Sequence, residues 1–145
     1  MDTDMGKFDF SYILNYVLDY EELRPDGDGG KRVNKVEGDF EQPEMRWTLA
    51  STWSKDELAA SVAVNFIDSF KGDADGGFED RTVGSMTTVD FSISYMGLEN
   101  TTLTFGATNL FNEEPPFSHH DFMGFVNSTH SGQGRFTYVS ANYRF

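Results

Sequence analysis

The chain has 145 residues, a net charge of -13, no cysteine and 11 basic residues. The missing cysteine removes disulfide frameworks, thiolate metal sites and cysteine nucleophiles, and the acidic balance excludes a nucleic-acid partner, because phosphates need clustered Lys and Arg. Mean hydropathy is -0.48, yet Phe is as frequent as Gly, at 14 each, so a polar chain carries an unusual load of aromatic surface.

Taken in chain order, six segments alternate apolar and polar residues with period two, and none keeps a helical period of 3.6. In the first, Phe8, Phe10, Tyr12, Leu14, Tyr16, Leu18 and Tyr20 share one face, with Asp9, Ser11, Ile13, Asn15, Val17 and Asp19 on the other. The second sets Met45, Trp47, Leu49, Ser51 and Trp53 against Arg46, Thr48, Ala50 and Thr52. The third sets Leu58, Ala60, Val62, Val64 and Phe66 against Ala59, Ser61, Ala63 and Asn65. The fourth has Thr87, Val89, Phe91, Ile93 and Tyr95 against Thr88, Asp90, Ser92 and Ser94. The fifth has Leu103, Phe105, Ala107, Asn109 and Phe111 against Thr102, Thr104, Gly106 and Thr108. The sixth counts back from Phe145 through Tyr143, Ala141 and Val139 to Thr137.

No apolar register contains a charged residue, although 24% of the chain is charged. Hydrocarbon imposes that restriction, since a Lys or Arg facing the bilayer midplane costs about 2–4 kcal/mol. A soluble sheet packed on a core also alternates, so the connections must discriminate. Glu21 to Pro43 is long and Gly-rich, Ser54 to Glu57 is tight, Ser69 to Met86 is long, Met96 to Asn100 is short, and Asn112 to Gly134 is long. In an antiparallel meander every second connection emerges on the same side, and membrane barrels have short periplasmic turns and long outer loops. The expectation is an all-β fold: an antiparallel meander of about six strands forming a sector of a transmembrane β-barrel. Trp53, Tyr95 and Tyr143 then lie level in an aromatic girdle at the periplasmic interface.

The closing Val139, Tyr143 and Phe145 resemble the signal with which outer-membrane barrels engage their assembly machinery. More specific is Ala107-Thr108-Asn109-Leu110-Phe111-Asn112-Glu113-Glu114-Pro115-Pro116, followed by Gly134-Arg135 and the last strand. Together these resemble the end of a TonB-dependent outer-membrane receptor. That resemblance implies a parent barrel of roughly 22 strands around an N-terminal plug, taking up a nutrient such as an iron chelate, cobalamin or a sugar with energy coupled through TonB. It implies bacterial outer-membrane location, and as partners the outer-membrane lipid, the barrel-assembly machinery, and the parent's remaining strands and plug. Residues 1–145 would be the C-terminal part of the barrel domain, without the plug. Met1-Asp2-Thr3-Asp4 has neither the basic region nor the apolar core of an export signal, which makes Met1 an internal methionine of a longer reading frame on this view. Six strands also fall below the roughly eight that a single-chain barrel needs.

Other constellations receive plainer readings. Asp26-Gly27-Asp28-Gly29 opens like a calcium loop with Glu37 at the twelfth position, but Lys31 stands where the sixth position needs Gly, so an acidic surface loop is expected there and at Asp73-Ala74-Asp75-Gly76-Gly77. His119, His120 and His130 beside Asp121 carry the residue types of a metal site, yet adjacent imidazoles do not readily aim at one ion, and solvated loop histidines are the expectation. No metal or cofactor is assigned. Gly-x-Ser-x-Gly is absent and no nucleophile has a hydrolase setting, so no enzyme activity is expected. Asp90, the lone carboxylate of its strand, is expected to be hydrated or paired with an Arg. The rival reading is a small soluble β-sandwich or β-barrel binding module whose aromatic faces bury one another.

Overall fold

The computed structural model describes residues 2–19, 21–24, 31–34, 42–72, 82–119 and 121–145. They are all-β, with no helix among them. Six strands carry the architecture: β2 (Gly6–Tyr16), β5 (Met45–Lys55), β6 (Leu58–Ile67), β9 (Met86–Leu98), β10 (Thr101–Thr108) and β11 (Phe136–Tyr143). Each pairs antiparallel with the next in chain order, and the two-residue β1 (Asp2–Thr3) folds back on the start of β2. Two small hairpins stand apart from this sheet: β3 (Glu21–Arg24) with β4 (Lys31–Asn34), and β7 (Phe70–Lys71) with β8 (Thr82–Val83). Both occur in stretches the alternation reads only as long connections, because a two- to four-residue strand is too short to show a period.

The register joins the apolar faces of all six strands. Residues directly opposite one another in an antiparallel pair project from the same face of the sheet. Tyr12 faces Leu49, Leu49 faces Val64 and Val64 faces Val89; Ile93 faces Phe105, which faces Val139. The polar registers meet likewise, through Thr48 with Asn65, Asn65 with Thr88, and Ser94 with Thr104.

Two turns of two residues set this register at one end. Asp56 takes a positive φ of 51° between the paired Lys55 and Leu58, and Asn100 takes 54° between Leu98 and Thr101. Asp and Asn accept that conformation better than most residues because their short polar side chains bond locally. Trp53, Tyr95 and Tyr143 all sit near these turns, opposite Ala60, Leu58 and Thr101. Connections 17–44, 68–85 and 109–135 leave from the other end.

Three strand limits differ from the alternation. β2 stops at Tyr16 rather than Tyr20, after which Val17 N–H donates to Glu44 O at 2.9 Å and Leu18 is exposed. β10 stops at Thr108 rather than Phe111, because Asn109 adopts φ 48° and turns the chain out of the sheet. β11 ends at Tyr143, two residues before Phe145.

Candidate functional site

The apolar face lies open. Phe10 is 68% exposed and Val139 77%, and Tyr12, Leu14, Leu49, Val62, Ile93 and Phe105 are exposed beside them. No second layer covers this face among the described residues, contrary to what a sandwich with mutually buried aromatic faces requires. Aromatic contacts on it are lateral, as between Trp47 and Phe66, stacked at 5.3 Å on neighbouring strands.

The polar face, by contrast, is bridged by side chains and roofed at its long-loop end. Thr48 Oγ1 donates to Asn65 Oδ1 at 2.9 Å, and Asn65 Nδ2 donates to Asp90 Oδ2 at 3.0 Å. The other oxygen, Asp90 Oδ1, accepts the backbone N–H of Asn109 at 2.9 Å. Asn109 in turn accepts from Glu113 N and donates from Nδ2 to Glu113 O, both at 2.8 Å. Asp90 thus pairs with Asn65 and the Asn109 backbone, and with no Arg among the described residues. It takes over from the backbone ladder where β10 leaves the sheet, and the Asn109 side chain rounds off the turn.

The two halves of the sequence motif meet in space. Arg135 N–H donates to Asn112 Oδ1 at 3.0 Å, and Arg135 Nη1 donates to Leu110 O at 3.3 Å. Leu110 is tied to the sheet through its own N–H, which donates to Val89 O at 2.7 Å. Gly134 has φ 68°, and a Cβ there would lie 3.0 Å from Asn112 Oδ1, so a larger residue would be strained in conformation and tight against that oxygen. Asn109, expected on the apolar face, is instead 8% exposed, its side chain bonded to the Glu113 backbone and its backbone N–H to Asp90, while Phe111 beyond the turn is exposed. Pro115 and Pro116 are half-buried, and Pro116 carries the loop past Gly84, between β8 and β9. The motif thus closes the base of loop 109–135.

Beneath that loop, a cleft of about 400 Å³ opens between it and the polar face. Thr88, Asp90 and Thr108 form its floor, and Thr129, Ser131 and Gln133 form its roof. Ile67 and Met86 line it as well, so the hydroxyls, the Gln133 amide and the Asp90 carboxylate are set among apolar surface.

The two described histidines are not gathered. His119 meets Phe117 edge-on at 4.8 Å, His130 is buried against Phe70 at 5.7 Å, and His120 lies outside the described residues. Among the described residues no three His, Cys, Asp or Glu side chains are placed to share a metal ion. The two acidic Gly-rich segments, 26–30 with Glu37 and 73–77, also fall outside the described residues.

Val139, Tyr143 and Phe145 belong to or follow the edge strand β11. Val139 stands opposite Phe105 and Tyr143 opposite Thr101, and the Phe145 ring packs edge-on against Tyr143 at 5.5 Å. All three are exposed. No family model, curated protein or solved structure matches this chain.

Proposed function

We propose that this chain is the C-terminal wall of the β-barrel of a TonB-dependent outer-membrane receptor, and that its role is structural and ligand-admitting rather than catalytic. The observation that carries the reading is the inversion of the sheet. Its continuous apolar face is open, while its hydrogen-bonded polar face receives a loop. A water-soluble sheet does the reverse, because monomers in water rarely leave more than a few hundred Å² of contiguous apolar surface uncovered. Lipid makes the same arrangement favourable.

The sheet edges support a larger wall. Among the described residues β11 pairs with β10 alone, and the stretch of β2 from Phe8 onward pairs with β5 alone. Each unpaired backbone group in hydrocarbon costs several kcal/mol, so further strands of a parent barrel are the natural complement. In this reading connections 17–44, 68–85 and 109–135 face the exterior, the turns at Asp56 and Asn100 face the periplasm, and Val139, Tyr143 and Phe145 engage the assembly machinery. The family assignment rests on the Asn109–Pro116 and Gly134–Arg135 residues, whose hydrogen bonds give the motif a shared task. The parent would take up a scarce nutrient with energy coupled through its plug.

Two measurements test the proposal at its two levels. The denatured full chain, diluted into phospholipid vesicles, should gain β-sheet circular dichroism that it does not gain in buffer. A cooperatively folding, monomeric β protein in buffer alone would replace the membrane reading with the soluble binding module. Sequencing the DNA upstream of the Met1 codon should find further alternating strands and a plug in the same frame; a stop codon and promoter there would remove the receptor assignment.

A further inference from the structure

Loop 109–135 is held down at a second point, remote from the motif. His130 is 4% exposed, its ring parallel to Phe70 within 16°. Its backbone N–H donates to Val126 O at 2.8 Å, and Val126 is fully buried in a cluster with Phe70 and Val83. Since Phe70 is on β7 and Val83 on β8, this small apolar contact docks the loop onto a hairpin. On the β5 side, Arg46 Nη2 donates to Thr129 Oγ1 at 3.4 Å. Neither ring nitrogen of His130 has a hydrogen-bond partner among the described residues.

An imidazole in that position suits the docked loop only while it is neutral. Protonation would place a cation beside apolar side chains, with no acceptor for either N–H among the described residues and a guanidinium nearby. We propose that His130 is an acid-sensitive latch: neutral, it docks residues 121–135 over the polar face, and protonated, it releases them and opens the cleft beneath. The roof of that cleft, Thr129, Ser131 and Gln133, flanks the latch directly in sequence. The inference stands on the loop contact alone and holds whether or not the apolar face meets lipid.

The electrostatics agree in sign. Burial first, and then the Arg46 charge, hold the His130 imidazole below its ordinary value of 6.5. Among the described residues the other charged groups on the elements packed here are Asp68 and Lys71 flanking or within β7 and Asp121 on the loop, and of these and Arg46 it is Arg46 whose field acts on the ring. A released loop binds the proton more readily than a docked one. Docking is therefore at full strength above about pH 6.5, weakens as the pH falls through that value, and stops weakening below the lowered value of the docked state.

Hydrogen–deuterium exchange on the full chain, in the medium where it folds, tests this at pH 7.5 and 5, with rates corrected for intrinsic pH dependence. Peptides covering 121–135 should lose protection at pH 5, while those of β5 and β6 hold theirs. His130→Phe keeps the stack on Phe70 without a titrating group and should keep the loop protected at both pH values. Equal protection of the wild-type loop at both pH values would overturn the proposal, as would acid release persisting in His130→Phe. Should that variant not fold, the wild-type His130 ring titrated by NMR decides: a midpoint below 6.5 supports the latch, and one at or above 6.5 overturns it.

Discussion

Asp90 on β9 accepts the backbone N–H of Asn109 at 2.9 Å, so a side chain supplies the hydrogen bond where the β9–β10 ladder ends. The last ladder pair is Ala107 with Phe91, and beyond it Asn109 has turned to φ 48°. A carboxylate reaching one residue further keeps a nearly buried N–H satisfied, and its second oxygen ties the turn to Asn65 on β6. The long loop therefore starts from a point fastened to two strands.

Replacing that carboxylate should be felt in global stability. Hydrogen bonds to charged groups contribute about 1.5–3 kcal/mol, so Asp90→Ala should lower the unfolding free energy by that amount in a denaturant titration. Asp90→Asn retains one acceptor and should lose about half as much. A change below about 0.5 kcal/mol for Asp90→Ala would mean that the Asn109 turn holds without it.

Asn109 combines a left-handed backbone with two bonds to Glu113. Asn109→Gly keeps the conformation and loses the side-chain bonds, whereas Asn109→Ala loses both and adds about 1–2 kcal/mol of backbone strain. Limited proteolysis should cut loop 109–135 faster in the Ala variant than in the Gly variant, and faster in both than in the wild type. The opposite order for Ala and Gly would show that the backbone conformation is not the controlling element.

At Gly134 the constraint is spatial as well as conformational. Gly134→Ala places a methyl 3.0 Å from Asn112 Oδ1, the acceptor of the Arg135 N–H. The expected cost is about 1–3 kcal/mol, the usual range for a mutation that strains a special backbone position. Asn112→Ala would relieve the contact but also remove the bond. The double variant should accordingly be less destabilised than the sum of the two singles, and simple additivity in a thermodynamic cycle would show that the two residues do not interact.

The two faces of β6 offer a direct test of the lipid reading. Val62 is on the open apolar face and Ser61 on the polar face. In vesicles Val62→Lys should cost about 2–4 kcal/mol, as a cation on the lipid side does, and Ser61→Lys should cost far less. Equal effects at the two positions would place water on both faces.

Much of the sheet was legible because alternation is local. Whether Phe91 and Ile93 share a face depends only on the pleat of their own strand, and the register confirmed by Ile93 opposite Phe105 follows once the turn at Asn100 is tight. The site was less legible. Asp90 carried a signal, as the lone carboxylate of its strand, but its partner Asn109 was assigned to the other face because a positive φ leaves no trace in a period-two count. His130 looked like any loop histidine, since nothing near it in sequence announces Phe70.

What the sequence by itself determined is the pair of faces: six uncharged registers, their polar counterparts, and long connections confined to one end. Those properties reside in neighbouring residues and the fixed geometry of an extended chain. Only the tertiary structure decided which polar groups meet, where β10 ends, how Asn112 finds Arg135, and that His130 is buried against Phe70. Each of those contacts joins segments distant along the chain, and their free energy depends on burial and distance, which no local pattern of residue types encodes.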